Sequence, residues 1–306
     1  MHPTTVDFEA KLHRLEHEME NLRSIMEHVY SFSTDFSLRN IQISGRTVPL
    51  GGSLGGDHLI FVDFKRRYDL ESRIERARER GNVAVADSLR ANRDRVGVLV
   101  ADVSGHSMTD ALLAAMLHQA FLTGVLYELD IHGNVTEGLF EVLNTRFHRS
   151  SSVTKFLTMI YGEISEDGTF RFISAGHPQP LVFSAEFDSF VTIDRSRLRS
   201  FYPVGMFPTE GDRDEPLGAP PIHVKEPYSV NEVNLMGRGD ILILATDGLT
   251  EHARGDEPYA PRQLERLLRD VKNRSATDIV EAVIENVERF APPADDVSLV
   301  VVKKVS

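Results

Sequence analysis

Four short segments of this 306-residue chain share one construction, in which a run of apolar, strand-forming residues carries an aspartate at the turn beside it. They are Gly55-Gly56-Asp57 ahead of Leu59-Ile60-Phe61, and Asp102-Val103-Ser104-Gly105-His106 behind Val98-Leu99-Val100. The other two are Thr246-Asp247-Gly248 behind Ile241-Leu242-Ile243-Leu244, and Asp295-Asp296 ahead of Val297-Ser298-Leu299. Carboxylates beside buried strands are costly to gather, because each raises the pKa of the others unless a cation neutralises them. Convergence of the four segments would therefore imply metal, and an oxygen-only donor set favours a hard ion such as Mg²⁺ or Mn²⁺ over zinc. Taken one at a time the segments are weak: a strand ending in Asp-Gly is commonly a turn, and Gly-Gly-Asp is equally a loop whose glycines supply positive φ.

The remaining pattern sets the architecture. Val96–Ala101 is an apolar run fitting a buried strand, and further strands are expected at Phe156–Glu163, Thr169–Ser174, Leu181–Ser184, Phe190–Ile193, Asp240–Ala245 and Val297–Lys303. Thr109–Tyr127 is apolar on nearly all sides and is expected to be a helix packed between layers, followed by a helical pattern over Thr136–Arg149. Ser275 and Asp278 form a capping box ahead of a helix with Ile279, Val283, Ile284 and Val287 on one face. Strands and helices fall in blocks without regular alternation, so an antiparallel sandwich covered by helices is favoured over a doubly wound sheet.

Two segments lie outside that pattern. Phe8, Leu12, Leu15, Met19, Leu22, Met26 and Val29 alternate spacings of four and three, which places an apolar seam along one helix. It fits either a helix packed on its own domain or a short parallel coiled coil that makes a homodimer or passes on the signal of an upstream regulator. The polar stretch Ser31–Arg46 then reads as a linker, giving an N-terminal segment 1–46 and a main domain 47–306. Within the latter, Lys65–Arg95 holds ten Lys/Arg and six Asp/Glu, a local balance of +4 (ten minus six) in a chain of net charge −12. Leu70, Ile74 and Ala77 suggest a helix there, broken at Gly81 and followed by a second, the pair projecting as a charged insertion.

The acidic balance argues against nucleic acid as the main partner. The absence of cysteine excludes disulfides, thiolate zinc and a cysteine nucleophile. The N-terminus lacks an apolar signal region, and no stretch is judged to approach the roughly 20 apolar residues of a membrane span, so a cytoplasmic protein with no membrane partner is expected.

In order along the chain, Gly55-Gly56-Asp57, Val100-Ala101-Asp102-Val103-Ser104-Gly105-His106, Phe156-Leu157-Thr158, Ser174-Ala175-Gly176-His177-Pro178, Gly239-Asp240-Ile241-Leu242, Ala245-Thr246-Asp247-Gly248-Leu249-Thr250-Glu251 and Asp295-Asp296-Val297-Ser298 stand together. This set resembles the PPM superfamily of metal-dependent protein serine/threonine phosphatases in its bacterial SpoIIE-like branch, which includes RsbU-type stress regulators. The likeness spans about residues 50 to 303. It implies an α+β fold, an α/β/β/α sandwich of two antiparallel sheets flanked by helix pairs, with two divalent cations, Mn²⁺ or Mg²⁺, at one edge. By the same resemblance Asp102 bridges the cations, the Val103 carbonyl completes one site, Asp57 serves the second metal, and Asp247 and Asp295 hold the first. Asp296 is the weaker candidate of its pair.

The implied chemistry is in-line attack on phosphoserine or phosphothreonine by water that the cations activate, with no protein nucleophile. The implied substrate is a phosphorylated regulatory protein such as an anti-sigma-factor antagonist. Ser107 stands where the family more often has a second glycine. Ser104 stands where eukaryotic relatives place a histidine, so the leaving group would be protonated from solvent or by His106. His177 is expected to be a hydrogen-bonded turn residue. Two other assignments compete: a nucleotide cyclase suggested by Gly55-Gly56-Asp57, whose signature His58 and Leu59 break, and a catalytically silent binding module, which the full set of acidic residues disfavours.

Overall fold

The computed structural model describes residues 5–30, 36, 38–50, 55–105, 108–150, 155–194, 198–209, 223–235 and 237–306. Two five-stranded sheets form its centre. One has the order β1 (Ile41–Val48), β12 (Val297–Lys304), β9 (Ile241–Ala245), β6 (Leu181–Ser184), β7 (Ser189–Val191). The other runs β2 (Asp57–Asp63), β3 (Arg95–Val103), β4 (Leu157–Ser165), β5 (Thr169–Ala175), β8 (Asn231–Asn234). All neighbours in both are antiparallel.

Strand side chains alternate between faces, and here both faces of each inner strand are apolar, so each sheet is covered twice. Val96, Val98 and Val100 of β3 meet Leu242 and Leu244 of β9 and Val300 and Val302 of β12 in the layer between the sheets. Leu99, Ala101 and Val103 point the other way, towards Ala114, Leu117, Phe121 and Val125 of α5 (Met108–Ile131) and Phe140 and Leu143 of α6 (Glu137–Ser150). On the far side, Ile243, Leu299 and Val301 pack with Leu264 and Leu268 of α8 (Arg262–Val271) and with Ile279, Val283 and Val287 of α9 (Ala276–Phe290). Three apolar layers between four structural layers make the α/β/β/α sandwich that the sequence implied. Ser275 caps α9, its Oγ accepting the Asp278 N–H at 3.1 Å and donating to Asp278 Oδ2 at 2.7 Å, so the two residues of the expected capping box meet through their side chains. A short helix α7 (Asp247–Thr250) follows β9, and a small ribbon pairs β10 (Ala253–Arg254) with β11 (Glu257–Pro258).

Several expectations change. The segment assigned to a linker contains β1 from Ile41 onward, an edge strand paired with β12 along its whole length. The charged insertion does form helices, α2 (Phe64–Arg67), α3 (Leu70–Glu79) and α4 (Val83–Ala91), with a turn at Gly81. It does not project, because Leu70, Ile74, Ala77, Val85, Ala86 and Leu89 are buried in the α5 layer while the charges face outward. Nor is α5 enclosed on all sides: it forms part of an outer layer, with Leu112, Met116, Tyr127 and Ile131 exposed. Contrary to the sequence expectation, Thr109–Ile131 is long and apolar enough by length and composition to cross a bilayer, although one face of it is packed on the sheet.

The helix α1 (Thr5–Tyr30) lies against α5 and β2. Leu12, Leu15 and Met19 of the apolar seam are exposed. The side chains of Phe8, Leu22, Met26 and Val29 lie outside the described set, as do residues His106 and Ser107.

Candidate functional site

The antiparallel register of β2 and β3 sets Asp57 directly opposite Asp102. At the same edge of the sandwich β9 ends and β12 begins, bringing Asp247, Asp295 and Asp296 to the same place. The two sheets are joined there by hydrogen bonds. Thr246, fully buried, accepts from the Ser298 N–H at 3.0 Å and donates its hydroxyl proton to Asp57 Oδ2 at 2.8 Å. The Asp296 carboxylate takes the Gly56 N–H on Oδ2 and the Leu50 N–H on Oδ1, each at 2.7 Å. The Asp296 oxygens therefore anchor Gly56 and Leu50, one each, whereas Asp295 is exposed and accepts the Asp296 N–H at 2.8 Å.

The glycines follow from this crowding. A Cβ on Gly55 would fall 2.0 Å from Asp296 Oδ2, and one on Gly56 would fall 2.4 Å from the Gly105 carbonyl and 2.7 Å from that of Val103. Only a residue without a side chain lets β2 enter so close to the Asp102 turn.

The electrostatics show that the acidic groups share one field. Burial pushes the Asp102 carboxyl up to about 7, assisted by the charges of Asp247, Asp295, Asp296 and Asp110. Asp57 is raised well above the ordinary carboxylate range by burial and then by Asp102, with the Thr246 hydroxyl pulling the other way. Asp247 is raised by burial and by Asp295 and Glu251. Among the described residues no three His, Asp or Glu side chains close into a ready ligand cluster, so these carboxylates repel across a gap. Mutual destabilisation of this kind is relieved by a cation, and an all-oxygen set suits a hard one.

Three further residues serve the site and were not found from sequence. Lys155 Nζ donates to the Ser104 carbonyl at 2.7 Å and pairs with Asp110, a buried side chain on α5, also at 2.7 Å. Together they seat the turn that follows Asp102, and the only signal in the sequence was the position of Lys155 just before Phe156-Leu157-Thr158. His118 of α5 meets His58 of β2, Nδ1 to Nε2, at 2.8 Å. His58 is fully buried and burial holds its pKa down at about 3; burial lowers that of His118 as well, and the contact ties β2 to α5 next to Asp57. His177 is a buried turn residue whose Nδ1 lies 2.9 Å from Thr158 Oγ1.

The family model for stage II sporulation protein E matches residues 92–305. Phosphoserine phosphatase RsbU of Bacillus subtilis is 22% identical over 218 residues, which covers 70% of this chain and 57% of that protein. The chain thus spans little more than half the length of that relative. The RsbU and RsbW domains of a Mycobacterium tuberculosis protein superpose with a TM-score of 0.60 at 19% identity, covering 90% of this chain and 64% of the other. The SiaA-PP2C domain of Pseudomonas aeruginosa superposes with a TM-score of 0.61 at 13% identity, covering 96% and 98%. With well over half of its length matched by one family model and the sandwich of that fold around its aspartates, the chain belongs to the stage II sporulation protein E (SpoIIE) family.

Proposed function

We propose that this chain hydrolyses phosphoserine or phosphothreonine on a small regulatory protein in the cytoplasm, with Mn²⁺ or Mg²⁺ held by Asp57, Asp102, the Val103 carbonyl, Asp247 and Asp295. The observation that carries the proposal is the strand register that sets Asp57 opposite Asp102, with acidic neighbours from three other segments near enough to raise the Asp102 carboxyl. Divalent ions bound there would lower the pKa of water and offset charge on the phosphoryl oxygens. The protein's own part is positioning. Thr246 and Asp296 fix Asp57 and Gly56 against the Asp102 turn, and Lys155 with Asp110 holds the far side of that turn. Asp296 is assigned to this anchoring and not to the ligand set, since both its oxygens already accept backbone N–H groups.

A phosphorylated anti-sigma-factor antagonist is the proposed substrate class, on the strength of the RsbU relative and of the RsbW domain that accompanies RsbU in the mycobacterial structure. Self-association through α1 is proposed from the exposed Leu12, Leu15 and Met19. Sedimentation of a chain lacking residues 1–30 tests it, and an unchanged mass would count against it. For the catalytic proposal, the test is Mn²⁺-dependent hydrolysis of an aryl phosphate alongside Mn²⁺ binding by calorimetry. Asp102→Asn and Asp247→Asn should each abolish turnover and weaken Mn²⁺ binding. Activity that survives both substitutions would overturn the ligand assignment.

A further inference from the structure

At the end of the sandwich opposite the aspartates, a cavity of about 620 Å³ opens where β9 and β6 meet the end of β12. Seven residues separate Asp240 from Asp247 along β9, and seven separate Asp296 from Lys303 along β12, so the cavity lies about 23 Å from the carboxylates at roughly 3.3 Å per residue. Among the described residues Arg238, Lys272, Arg274, Lys303 and Lys304 line it against one acidic side chain, Glu186. In a chain of net charge −12 this is a concentrated reversal of sign.

The five cations are not equally engaged. Lys272 pairs with Asp188 and donates to the Ala185 carbonyl at 2.9 Å, and Lys304 donates to the carbonyls of Asp167 and Leu235 at 3.0 and 3.2 Å. Arg238 and Arg274 are exposed and make no ion pair among the described residues. Lys303 is 7% exposed, and its ammonium donates to the Arg274 carbonyl without a carboxylate partner among the described residues. Burial accordingly lowers its pKa. A buried ammonium without a counter-ion is costly, and two unpaired guanidinium groups beside it supply planar forks suited to phosphate oxygens. The N-terminus of α9 is not the attraction, because Gln42 Oε1 and Ser275 Oγ already accept its N–H groups from Ala276 and Asp278.

We propose that this cavity binds a compact polyanion bearing phosphate groups, held by Arg238, Arg274 and Lys303. Its volume falls within the range of small-molecule sites. Among the described residues no aromatic side chain lines it to stack a base, which favours a pyrophosphate-like group over a nucleobase as the element recognised.

Calorimetric titration of the full chain with pyrophosphate tests the proposal, in buffer without added divalent cation and with chloride at matched ionic strength as the control. Saturable binding of one pyrophosphate per chain is expected. It should weaken at least tenfold in Arg238→Ala/Arg274→Ala, whose side chains are exposed and leave the core intact, and persist in Asp102→Asn. Equal affinity in the double variant, loss of binding in Asp102→Asn, or heats reproduced by chloride would each overturn it. So would tighter binding of a hexaglutamate peptide than of pyrophosphate, which would assign the surface to an acidic polypeptide.

Discussion

Replacing Thr246 by Val removes one hydroxyl and almost no volume at the point where the two sheets are joined. That hydroxyl accepts the Ser298 N–H and donates to Asp57, and Thr246, Ser298 and Asp57 are all buried. A buried donor left without a partner costs about 1–3 kcal/mol, and a typical hydrogen bond contributes about 0.5–1.5 kcal/mol. The two share one oxygen, and Asp57 keeps its bond from the Ser298 side chain, so the sum is expected at about 2–4 kcal/mol. At roughly 2 °C per kcal/mol for a large domain, this is a fall of about 4–8 °C in Tm. The assay is thermal and urea unfolding of the metal-free protein followed by circular dichroism. Thr246→Ser keeps the hydroxyl and should lose less than about 1.5 kcal/mol, the small cost of one methyl. Thr246→Val as stable as the parent, or Thr246→Ser as damaging as Thr246→Val, would refute the assignment of this hydroxyl as the link between the sheets.

Other perturbations follow from the same geometry. Gly56→Ala should lower Mn²⁺ affinity at least tenfold by calorimetry, because its Cβ meets backbone carbonyls at 2.4 and 2.7 Å that cannot swing aside. Lys155→Met removes the cation paired with the buried Asp110 carboxylate; with the lysine a third exposed, a cost of about 1–3 kcal/mol is expected in urea unfolding, largely restored by adding Asp110→Asn. His177 has a folded pKa of about 3 against 6.5 for the free side chain, so the unfolded chain binds the extra proton between those values. Stability should therefore fall as pH drops from about 6.5 towards 3, and His177→Gln should reduce that slope by up to about 1.4 kcal/mol per pH unit in a urea series. An unchanged slope would show that His177 does not titrate with unfolding.

What could be read from the sequence was whatever had a local signature. β3, β9 and β12 announced themselves because both their faces are buried, and continuous runs such as Val98-Leu99-Val100 have little alternative. The helix α9 declared its start through Ser275 and Asp278. By contrast, β1 reads Ile-Gln-Ile-Ser-Gly-Arg-Thr-Val, half polar as an edge strand is, with Gly45 fitted under the Phe61 ring. The polar strand β8, Asn231–Asn234, exists only because β5 lies beside it. The helix α8 has a stripe in Leu264, Leu268 and Val271 but no side-chain cap to mark its start. In the insertion, charge dominated the composition and hid the fact that the stripe beneath is core. At the site, the aspartates were legible as types at strand ends. The anchoring of Leu50 and Gly56 by Asp296 was not, because it depends on a carboxylate meeting N–H groups more than 200 positions away. The Lys155–Asp110 and His58–His118 contacts had no local signature for the same reason.

The pairing of Asp57 with Asp102 has a consequence for how this architecture tolerates change. The two residues stand at the open mouth of a hairpin whose closed end, some twenty ångströms off at ~3.3 Å per residue, is the α2–α4 segment. A tight turn would dictate which residues face each other; a connection of this size cannot. Alignment comes instead from the side chains of β2 and β3, since a slip by one position would exchange the set packed on α5, such as Ile60 and Leu99, with the set packed between the sheets, such as Phe61 and Val98. Chain length at the closed end is thereby decoupled from carboxylate placement at the mouth, which marks the Gly81 turn as the position where foreign sequence could be spliced in without disturbing the acidic pair.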